Sequence, residues 1–320
     1  MKGPGARVGC IGELLVEFVS SSRNGRHRRV DAYSGPYPSG APGIFIDQAA
    51  RMGGACIFVG AVDDDAFGKV VCDRLVEDGV DAQLIKVVNG VPTGTAFVSY
   101  NDDGSRDFVY NIVLSAASQF DGDEAVIAAL ADFKLDVMHV SGSALGDPQM
   151  AAKILRVCKA LHARGVKIAF DPNIRKELIG DRSYFEGVRD IMKISAIFLP
   201  SEDDAAALFP GEELSSFAAK LFAGGADYVV LKKGERGVEG LSATGESVNL
   251  EAHAVDVVDP TGAGDCFCGA FVTLIASGAY SFPQAIARAN AAGALAVTKR
   301  GPMEGAAPLS VVEAFLESRS

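Results

Sequence analysis

Short apolar segments alternate with segments of helical periodicity from residue 123 onward, and this alternation constrains the fold more than any other feature of the sequence. Strands are predicted at 137–140, 168–170, 196–199 and 228–231. Helices are predicted at 123–131, 148–163, 184–192, 214–222, 264–276, 283–298 and 310–318. This alternation produces right-handed βαβ units and a mostly parallel sheet covered by helices on both faces. We therefore expect one α/β domain over residues 1–320.

Two β-prone regions interrupt the α/β pattern, at about 14–34 and 95–112. In the second region, runs at 96–100 and 106–110 flank the turn-forming sequence Asn-Asp-Asp-Gly-Ser at 101–105. This arrangement is typical of a hairpin. We expect these regions to form a separate small sheet that acts as a lid. The exposed edge of such a sheet offers a surface for a homodimer.

Composition excludes several classes of partner. The 320 residues carry a formal net charge of -11, which disfavours binding to nucleic acid or to an anionic membrane. The apolar runs are much shorter than the roughly 20 residues that span a bilayer. No apolar signal segment follows the N-terminus. The six cysteines include no C-x-x-C pair, so we expect reduced cysteines and a cytoplasmic protein.

The strongest local signal is the sequence Asp-Pro-Thr-Gly-Ala-Gly-Asp at 259–265, which precedes an apolar helical run. The small residues Gly262, Ala263 and Gly264 let a ligand approach the backbone, and the helix start adds free N–H groups and a positive dipole end. Together these features predict an anion site. Asp265 at this position is commonly a simple helix cap. Beside a transferring phosphate, the same carboxylate is able to accept a proton from an attacking hydroxyl.

Ligands of open α/β sheets bind at the carboxyl ends of the strands. Polar residues follow the predicted strands at Glu13 and Glu17, Ser141, Asp171 to Arg175, Ser201 to Asp204, and Lys232 to Gly234. The group Asp171, Asn173 and Arg175 suits sugar hydroxyls or a phosphate, although Asp-Pro-Asn is equally an ordinary turn. A P-loop is excluded because Gly68-Lys69 is followed by Val70, and no G-x-G-x-x-G follows the first strand.

These motifs resemble the ribokinase/PfkB family of carbohydrate kinases. The sequence at 259–265 resembles the C-terminal signature of that family, and the segment from Ser39 to Gly53 is similar to its N-terminal signature. The resemblance covers nearly the whole chain. It implies a Rossmann-like (ribokinase-like) core with a β-sheet lid, a sugar substrate, ATP, Mg²⁺ and often a monovalent cation such as K⁺.

The resemblance also implies roles for single residues. Asp265 resembles the catalytic base, and the amides of Gly262, Ala263 and Gly264 resemble the anion hole for the γ-phosphate. The expected nucleotide-side residues are Lys232, Gly234, Gly237, Asn290 and Gly293. The expected substrate residues are Glu17, Gly40, Arg106, Phe108, Asp171, Asn173 and Arg175. Ser201 and Asp204 are expected to contact Mg²⁺ through water, and Asp259 and Thr261 are expected to hold the monovalent cation through their main-chain carbonyls.

The chain departs from the family pattern at three places. Ser39 replaces one glycine of a hinge pair, and Ile44 stands where many members have a sugar-binding Asn. Ser201 and Asp204 replace the usual Asn-x-x-Glu pair. Asp is shorter than Glu by one methylene, which contact through water tolerates.

The substrate is the least determined part of the prediction. Overall similarity favours fructokinase-like ketohexose kinases, including tagatose kinases, with phosphate transfer to O6. Arg106 and Arg175 would also suit a sugar acid, so 2-keto-3-deoxygluconate kinase is the alternative, followed by ribokinase or nucleoside kinase. A catalytically weak regulator that binds ATP or a sugar is the alternative from another class.

Overall fold

The computed structural model describes residues 5–103, 105–179 and 182–319. Over these residues the strands are β1 (Arg7–Ile11), β2 (Leu15–Ser20), β3 (Tyr33–Ser39), β4 (Ala55–Val62), β5 (Val80–Val87), β6 (Gly94–Tyr100), β7 (Arg106–Asn111), β8 (Val137–Ser141), β9 (Lys167–Asp171), β10 (Ser195–Phe198), β11 (Tyr228–Lys232), β12 (Val238–Ser242) and β13 (Ser247–Leu250). The helices are α1 (Ala41–Arg51), α2 (Ala66–Glu77), α3 (Glu124–Phe133), α4 (Pro148–His162), α5 (Arg182–Met192), α6 (Glu202–Leu208), α7 (Leu214–Ala223), α8 (Ala263–Ala276), α9 (Phe282–Ala296) and α10 (Leu309–Glu317).

The large sheet has nine strands in the order β13-β12-β11-β10-β9-β8-β1-β4-β5. Its pairs from β11 to β5 are parallel, whereas β12 and β13 add an antiparallel edge. Every residue of β8 is buried, as expected for a strand covered on both faces. Two extensive apolar clusters account for most of the buried core. The predicted α/β class, with a mostly parallel sheet flanked by helices, is confirmed.

The lid is the second sheet, with strand order β3-β2-β6-β7. Strands β6 and β7 form the predicted antiparallel hairpin, in which Tyr100 faces Arg106; residue 104 of its turn lies outside the described residues. Strand β3 extends to Ser39, beyond the predicted limit at residue 34. Its sequence Tyr-Ser-Gly-Pro-Tyr-Pro-Ser contains two prolines, which weaken a strand signal and are tolerated at a sheet edge.

Other elements were not predicted because their sequence signals are weak. Strand β5 is partly exposed and lies at the edge of the large sheet. Strand β12 has an interior glycine, Gly240. The side chains of Ile286 and Phe282 on α9 pack into the space that a Cβ at this position would occupy. Helix α6 spans seven residues, too few for a helical period to stand out.

All six cysteines are free, and all except Cys72 are buried. Within the described parts of the chain, no helix combines the length and apolar character needed to cross a bilayer.

A buried ion-pair network joins α1, α2 and the segment after α9. Arg74 donates to Asp47 at 3.2 Å, to Asp78 at 2.6 Å and to the carbonyl of Met303 at 2.6 Å. Arg51 also contacts Asp47, at 3.3 Å. The side chain of Asp47 is fully buried, so its charge depends on these two guanidinium groups.

Replacement of Arg74 should strongly destabilise the fold. Arg74→Met keeps much of the apolar stem but leaves Asp47 with one cation, and we expect a loss of about 3 kcal/mol in the free energy of unfolding. The control Lys86→Met breaks an exposed pair with Asp121, with side chains 44% and 52% exposed, and should cost less than about 1 kcal/mol. Urea denaturation of both variants measures the difference, and equal losses would contradict the prediction.

Candidate active site

A narrow cleft of about 50 Å³ lies between the lid and the carboxyl edge of the large sheet. The core contributes Glu13, Ser143, Arg175 and the turn that leads into α8. The lid contributes its own set of side chains, Glu17, Ser39, Ala96, Arg106, Phe108, Tyr110 and Ile112. A ligand in this cleft would therefore contact both sheets, as expected at the strand ends of an open α/β sheet.

The turn at Gly262 forms one wall of the cleft. Gly262 is the N-cap of α8 and has φ 82°, a left-handed conformation that favours glycine. A Cβ at this position would lie 2.4 Å from the carbonyl oxygen of Pro302, so no larger residue fits. The first N–H groups of a helix have no partner within it. The turn therefore presents amides and the positive end of α8 beside the cleft.

Asp265 lies in the first turn of α8 and is 9% exposed. Burial, followed by the nearby charge of Asp171, raises the pKa of Asp265 to about 7, although Arg175, Lys232 and Arg106 oppose this shift. The amide nitrogen of Asn173 lies 3.4 Å from Oδ1 of Asp265. The carboxylate thus combines access to the cleft with a pKa suited to proton transfer near neutral pH.

A buried ion pair lies behind this wall. Lys232, at the end of β11, donates to Oδ2 of Asp171, at the end of β9. The Sγ of Cys268 lies 3.4 Å from both groups. Neither Asp171 nor Asn173 is among the residues that line the cleft, although both were expected to bind substrate. Asn173 instead donates to the hydroxyl of Ser141 at 3.1 Å, beside Asp265.

Two glutamates, Glu13 and Glu17, also line the cleft. Burial raises the pKa of Glu13 to about 7 and that of Glu17 to about 8. Ser143 donates to Glu13 at 2.7 Å, and Ser39 donates to Glu17 at 3.4 Å. The second oxygen of each carboxyl group is buried without a hydrogen-bond partner. Since buried polar atoms are normally paired, these oxygens are available to a polar ligand.

The lid covers the cleft with one face of β7. Arg106, Phe108 and Tyr110 alternate along this strand and therefore share a face. The rings of Phe108 and Tyr110 are stacked with their centroids 5.2 Å apart, and the guanidinium of Arg106 lies 5.6 Å from the Phe108 centroid. With Arg175 from the core, two guanidinium groups line the same cleft.

Residues 6–308 match the pfkB family of carbohydrate kinases. The chain belongs to this family. A fructokinase from Vibrio alginolyticus is 30% identical over 306 residues, which cover 93% of this chain and 94% of the relative. An aminoimidazole riboside kinase from Salmonella typhimurium is 27% identical over 320 residues, which cover 98% of this chain and 96% of the relative.

A solved structure supports the same conclusion. An E. coli protein assigned as ribokinase II, in complex with ATP and Mg²⁺, matches with a TM-score of 0.89 and 36% identity. The match covers 98% of this chain and 99% of that chain. The protein is an ATP-dependent carbohydrate kinase, as the sequence predicted.

The residues expected on the nucleotide side of the kinase lie at the end of β11, in the loop that follows it and on α9. Gly234 and Gly237 have φ values of 57° and 91° in the loop after β11, and a Cβ on Gly237 would lie 2.0 Å from the carbonyl oxygen of Leu250. Asn290 on α9 donates to the carbonyl of Glu251 at 2.8 Å. Gly293 lets α9 approach the start of α8, where a Cβ would lie 3.2 Å from the carbonyl oxygen of Ala263.

The expected Mg²⁺ residues are engaged by the chain itself. Ser201 caps α6, and Oδ2 of Asp204 accepts bonds from the backbone N–H and the hydroxyl of Ser201 at 2.8 and 2.6 Å. Oδ1 of Asp204 accepts from the N–H of Ile174 at 2.8 Å. Among the described residues, no group of three or more acidic, Cys or His side chains is arranged to hold a metal. Ser201 and Asp204 would therefore contact a Mg²⁺ ion through water, since Mg²⁺ usually keeps several of its waters.

The expected monovalent-cation residues are also bonded to the chain. The carboxylate of Asp259 accepts hydrogen bonds from Tyr100, from the N–H of Thr261 at 3.0 Å and from the N–H of Gly301 at 3.0 Å. The prediction of K⁺ binding at Asp259 and Thr261 therefore depends on main-chain carbonyls, as the family resemblance implied.

Two polar cleft residues were not selected from the sequence. Glu13 lies just after β1, and this position was noted without a role; Ser143 carries no local motif. Ser39, which replaces a hinge glycine, holds Glu17. Gly40 keeps the hinge conformation with φ 102°, and a Cβ there would lie 2.6 Å from the carbonyl oxygen of Glu13.

Neutralisation of Glu13 should stabilise the kinase in a pH-dependent manner. A carboxyl group whose pKa is raised on folding stabilises the fold below its unfolded pKa and loses that contribution as pH rises through the folded value. Glu13→Gln keeps an acceptor for Ser143 and removes the titration between the ordinary value of 4.5 and about 7. The gain in thermal stability should therefore be larger at about pH 8.5 than at about pH 5.5, by a few kcal/mol at most.

Thermal melts at both pH values measure this difference. The control Glu213→Gln alters an exposed carboxylate and should give the same small change at both values. An equal gain for Glu13→Gln at both pH values would contradict the assigned effect of burial.

Proposed function

We propose that this kinase transfers the γ-phosphate of ATP to a hydroxyl of a ketohexose such as fructose or tagatose, with Asp265 as the general base. The position of Asp265 carries the proposal. It lines the cleft and also lies in the first turn of α8, beside the amides of Gly262, Ala263 and Gly264. A carboxylate at this junction is close to both the attacking hydroxyl and the transferring phosphate.

The mechanism is an in-line displacement. The ionised carboxylate of Asp265 accepts the proton of the attacking hydroxyl, whose oxygen forms the new bond to phosphorus while the bond to the β-phosphate oxygen breaks. The amides of the turn and the dipole of α8 stabilise charge on the phosphoryl oxygens. Mg²⁺, held by the phosphates and through water by Ser201 and Asp204, would neutralise further charge. The lid residues Arg106 and Phe108 exclude water from the bound sugar.

Two considerations support a ketohexose. The relative from Vibrio alginolyticus is a fructokinase. Glu13 and Glu17 line the cleft, and each has one buried carboxyl oxygen without a partner in the chain, which supports hydrogen bonding to sugar hydroxyls. A primary hydroxyl such as O6 is the least hindered nucleophile on such a sugar, so we assign the transfer to O6.

A second substrate class is favoured by one observation. Arg106 from the lid and Arg175 from the core line the same cleft, and guanidinium groups pair well with a carboxylate. This arrangement suits a sugar acid such as 2-keto-3-deoxygluconate. Ribose and nucleosides are the remaining candidate substrates. They are included in the assay below because one relative is an aminoimidazole riboside kinase.

Asp265→Asn should abolish turnover and leave ATP binding intact. The amide keeps the size of the side chain but has a negligible affinity for the proton, and we expect kcat to fall by about a thousandfold or more. Calorimetry with ATP and an ADP-release assay measure the two effects separately. Asp203→Asn, on an exposed position of α6, is the control and should retain full activity. Near-normal turnover in Asp265→Asn would overturn the assignment of the base.

Arg106→Met should separate the two substrate classes. The wild-type protein and the variant are assayed with fructose, tagatose, 2-keto-3-deoxygluconate, ribose and a nucleoside, and phosphorus NMR identifies the product position. For a ketohexose we expect a KM increase of about tenfold or less, since a neutral sugar loses one hydrogen bond. For a sugar acid we expect about a hundredfold, because a charge-assisted pair is lost. Activity confined to ribose or nucleosides would contradict both assignments.

A further inference from the structure

The lid meets the phosphate-binding turn at one buried carboxylate. Tyr100 is the last residue of β6, and its hydroxyl donates to Oδ1 of Asp259. The hydroxyl of Thr261 lies 2.7 Å from the phenolic oxygen. Because the single phenolic proton is given to Asp259, Thr261 donates to Tyr100. One side chain of the lid therefore bonds two residues of the segment that leads into the turn.

Strand β3 of the lid is connected to the carboxylate of Asp259 indirectly, through Gly301. The N–H of Gly301 donates to Oδ2 of Asp259 at 3.0 Å. Gly301 has φ 105°, and a Cβ there would lie 2.7 Å from the ring of Tyr37 on β3. The lid therefore contacts Asp259 directly through Tyr100. It also contacts Asp259 indirectly, because Tyr37 packs against Gly301, which bonds the same carboxylate.

Asp259 transmits these contacts to the turn. It is 1% exposed, and its Oδ1 also accepts the N–H of Thr261 at 3.0 Å. Thr261 directly precedes Gly262, the N-cap of α8. The position of the Tyr100 hydroxyl is therefore linked by two hydrogen bonds to the backbone that orients the first amides of the helix.

The chemistry of Tyr100 suits a fixed donor. Burial, followed by the charge of Asp259, raises the pKa of Tyr100 above its ordinary value. The hydroxyl of Tyr100 donates to a carboxylate oxygen of Asp259, so this contact is a charge-assisted hydrogen bond. Such bonds are shorter and stronger than those between neutral groups.

We propose that Tyr100 is a positioning residue that couples the seating of the lid to the geometry of the phosphate-binding turn. The inference rests on the proposed role of the turn in binding the transferring phosphate. When the lid is seated over a sugar, Tyr100 and Tyr37 hold Asp259, and the amides that follow Thr261 are aligned. When the lid is lifted, Asp259 loses the Tyr100 donor and the turn relaxes. Phosphate transfer then depends on an occupied cleft.

Tyr100→Phe tests the coupling because it removes only the hydroxyl. We expect kcat to fall by about tenfold, in line with the loss of a hydrogen bond to a charged group, with the dissociation constant for ATP unchanged. We also expect more ADP to be released per sugar phosphate formed, since a loosely held turn no longer favours the sugar over water. Tyr33→Phe is the matched control: its hydroxyl bonds His27 at 3.0 Å within the lid, and its kinetics should match the wild type.

A double-mutant cycle distinguishes positioning from simple stabilisation. Thr261→Val removes the hydroxyl that bonds Tyr100 and keeps the backbone N–H to Asp259. The effects of Tyr100→Phe and Thr261→Val on kcat should be clearly less than additive, because both act through one contact. Additive effects, or a Tyr100→Phe variant with unchanged kcat and a lower free energy of unfolding, would overturn the coupling. If the coupling fails in this way but Asp265→Asn is inactive, the proposed function remains intact. An active Asp265→Asn variant would overturn the proposed function instead.

Discussion

The active site depends on the burial of several carboxylates at one edge of the sheet. Asp171 and Asp265 are both buried, and each raises the cost of ionising the other. Lys232 supplies the compensating charge, with Arg175 acting from the cleft. Because the cation of Lys232 is already engaged by Asp171, Asp265 keeps a pKa near neutrality instead of a strongly lowered one. A carboxylate in this condition accepts a proton readily, which is the property required of a general base.

The sequence predicts those parts of the fold and site that depend on local signals. The alternation from residue 123 specifies the parallel sheet, since apolar runs and helical periods are properties of short segments. The turn at Gly262 and the position of Asp265 within the first turn of α8 follow from consecutive residues. The hairpin of β6 and β7 follows from two β-prone runs around a turn. In each case the information lies within about ten residues of the feature.

The remaining features depend on contacts between distant residues. The bond between Tyr100 and Asp259 joins positions 159 residues apart, and the pair of Lys232 and Asp171 joins positions 61 apart. No periodicity or motif records such pairs in one sequence. Asp171 illustrates the consequence: its place at the end of β9 indicated the edge of the sheet that it occupies, whereas its pairing with Lys232 was not predicted. Position along a strand predicts which edge a side chain occupies, whereas its partner is decided by packing.

The protonation state of Glu13 and Glu17 affects the net charge of the cleft, and this charge bears on both proposed substrate classes. With pKa values of about 7 and about 8, both groups hold a proton over much of the neutral range. In that form each is able to donate as well as accept hydrogen bonds, and neither offsets the charges of Arg106 and Arg175. The cleft then presents a net positive charge that favours an anionic sugar. Ionised Glu13 and Glu17, together with the ionised Asp265 in the same cleft, outweigh the two guanidinium groups, and such a site disfavours an anionic sugar and suits a neutral ketohexose. The choice between the two proposed substrate classes would therefore depend on the burial of two carboxyl groups as much as on the two guanidinium groups.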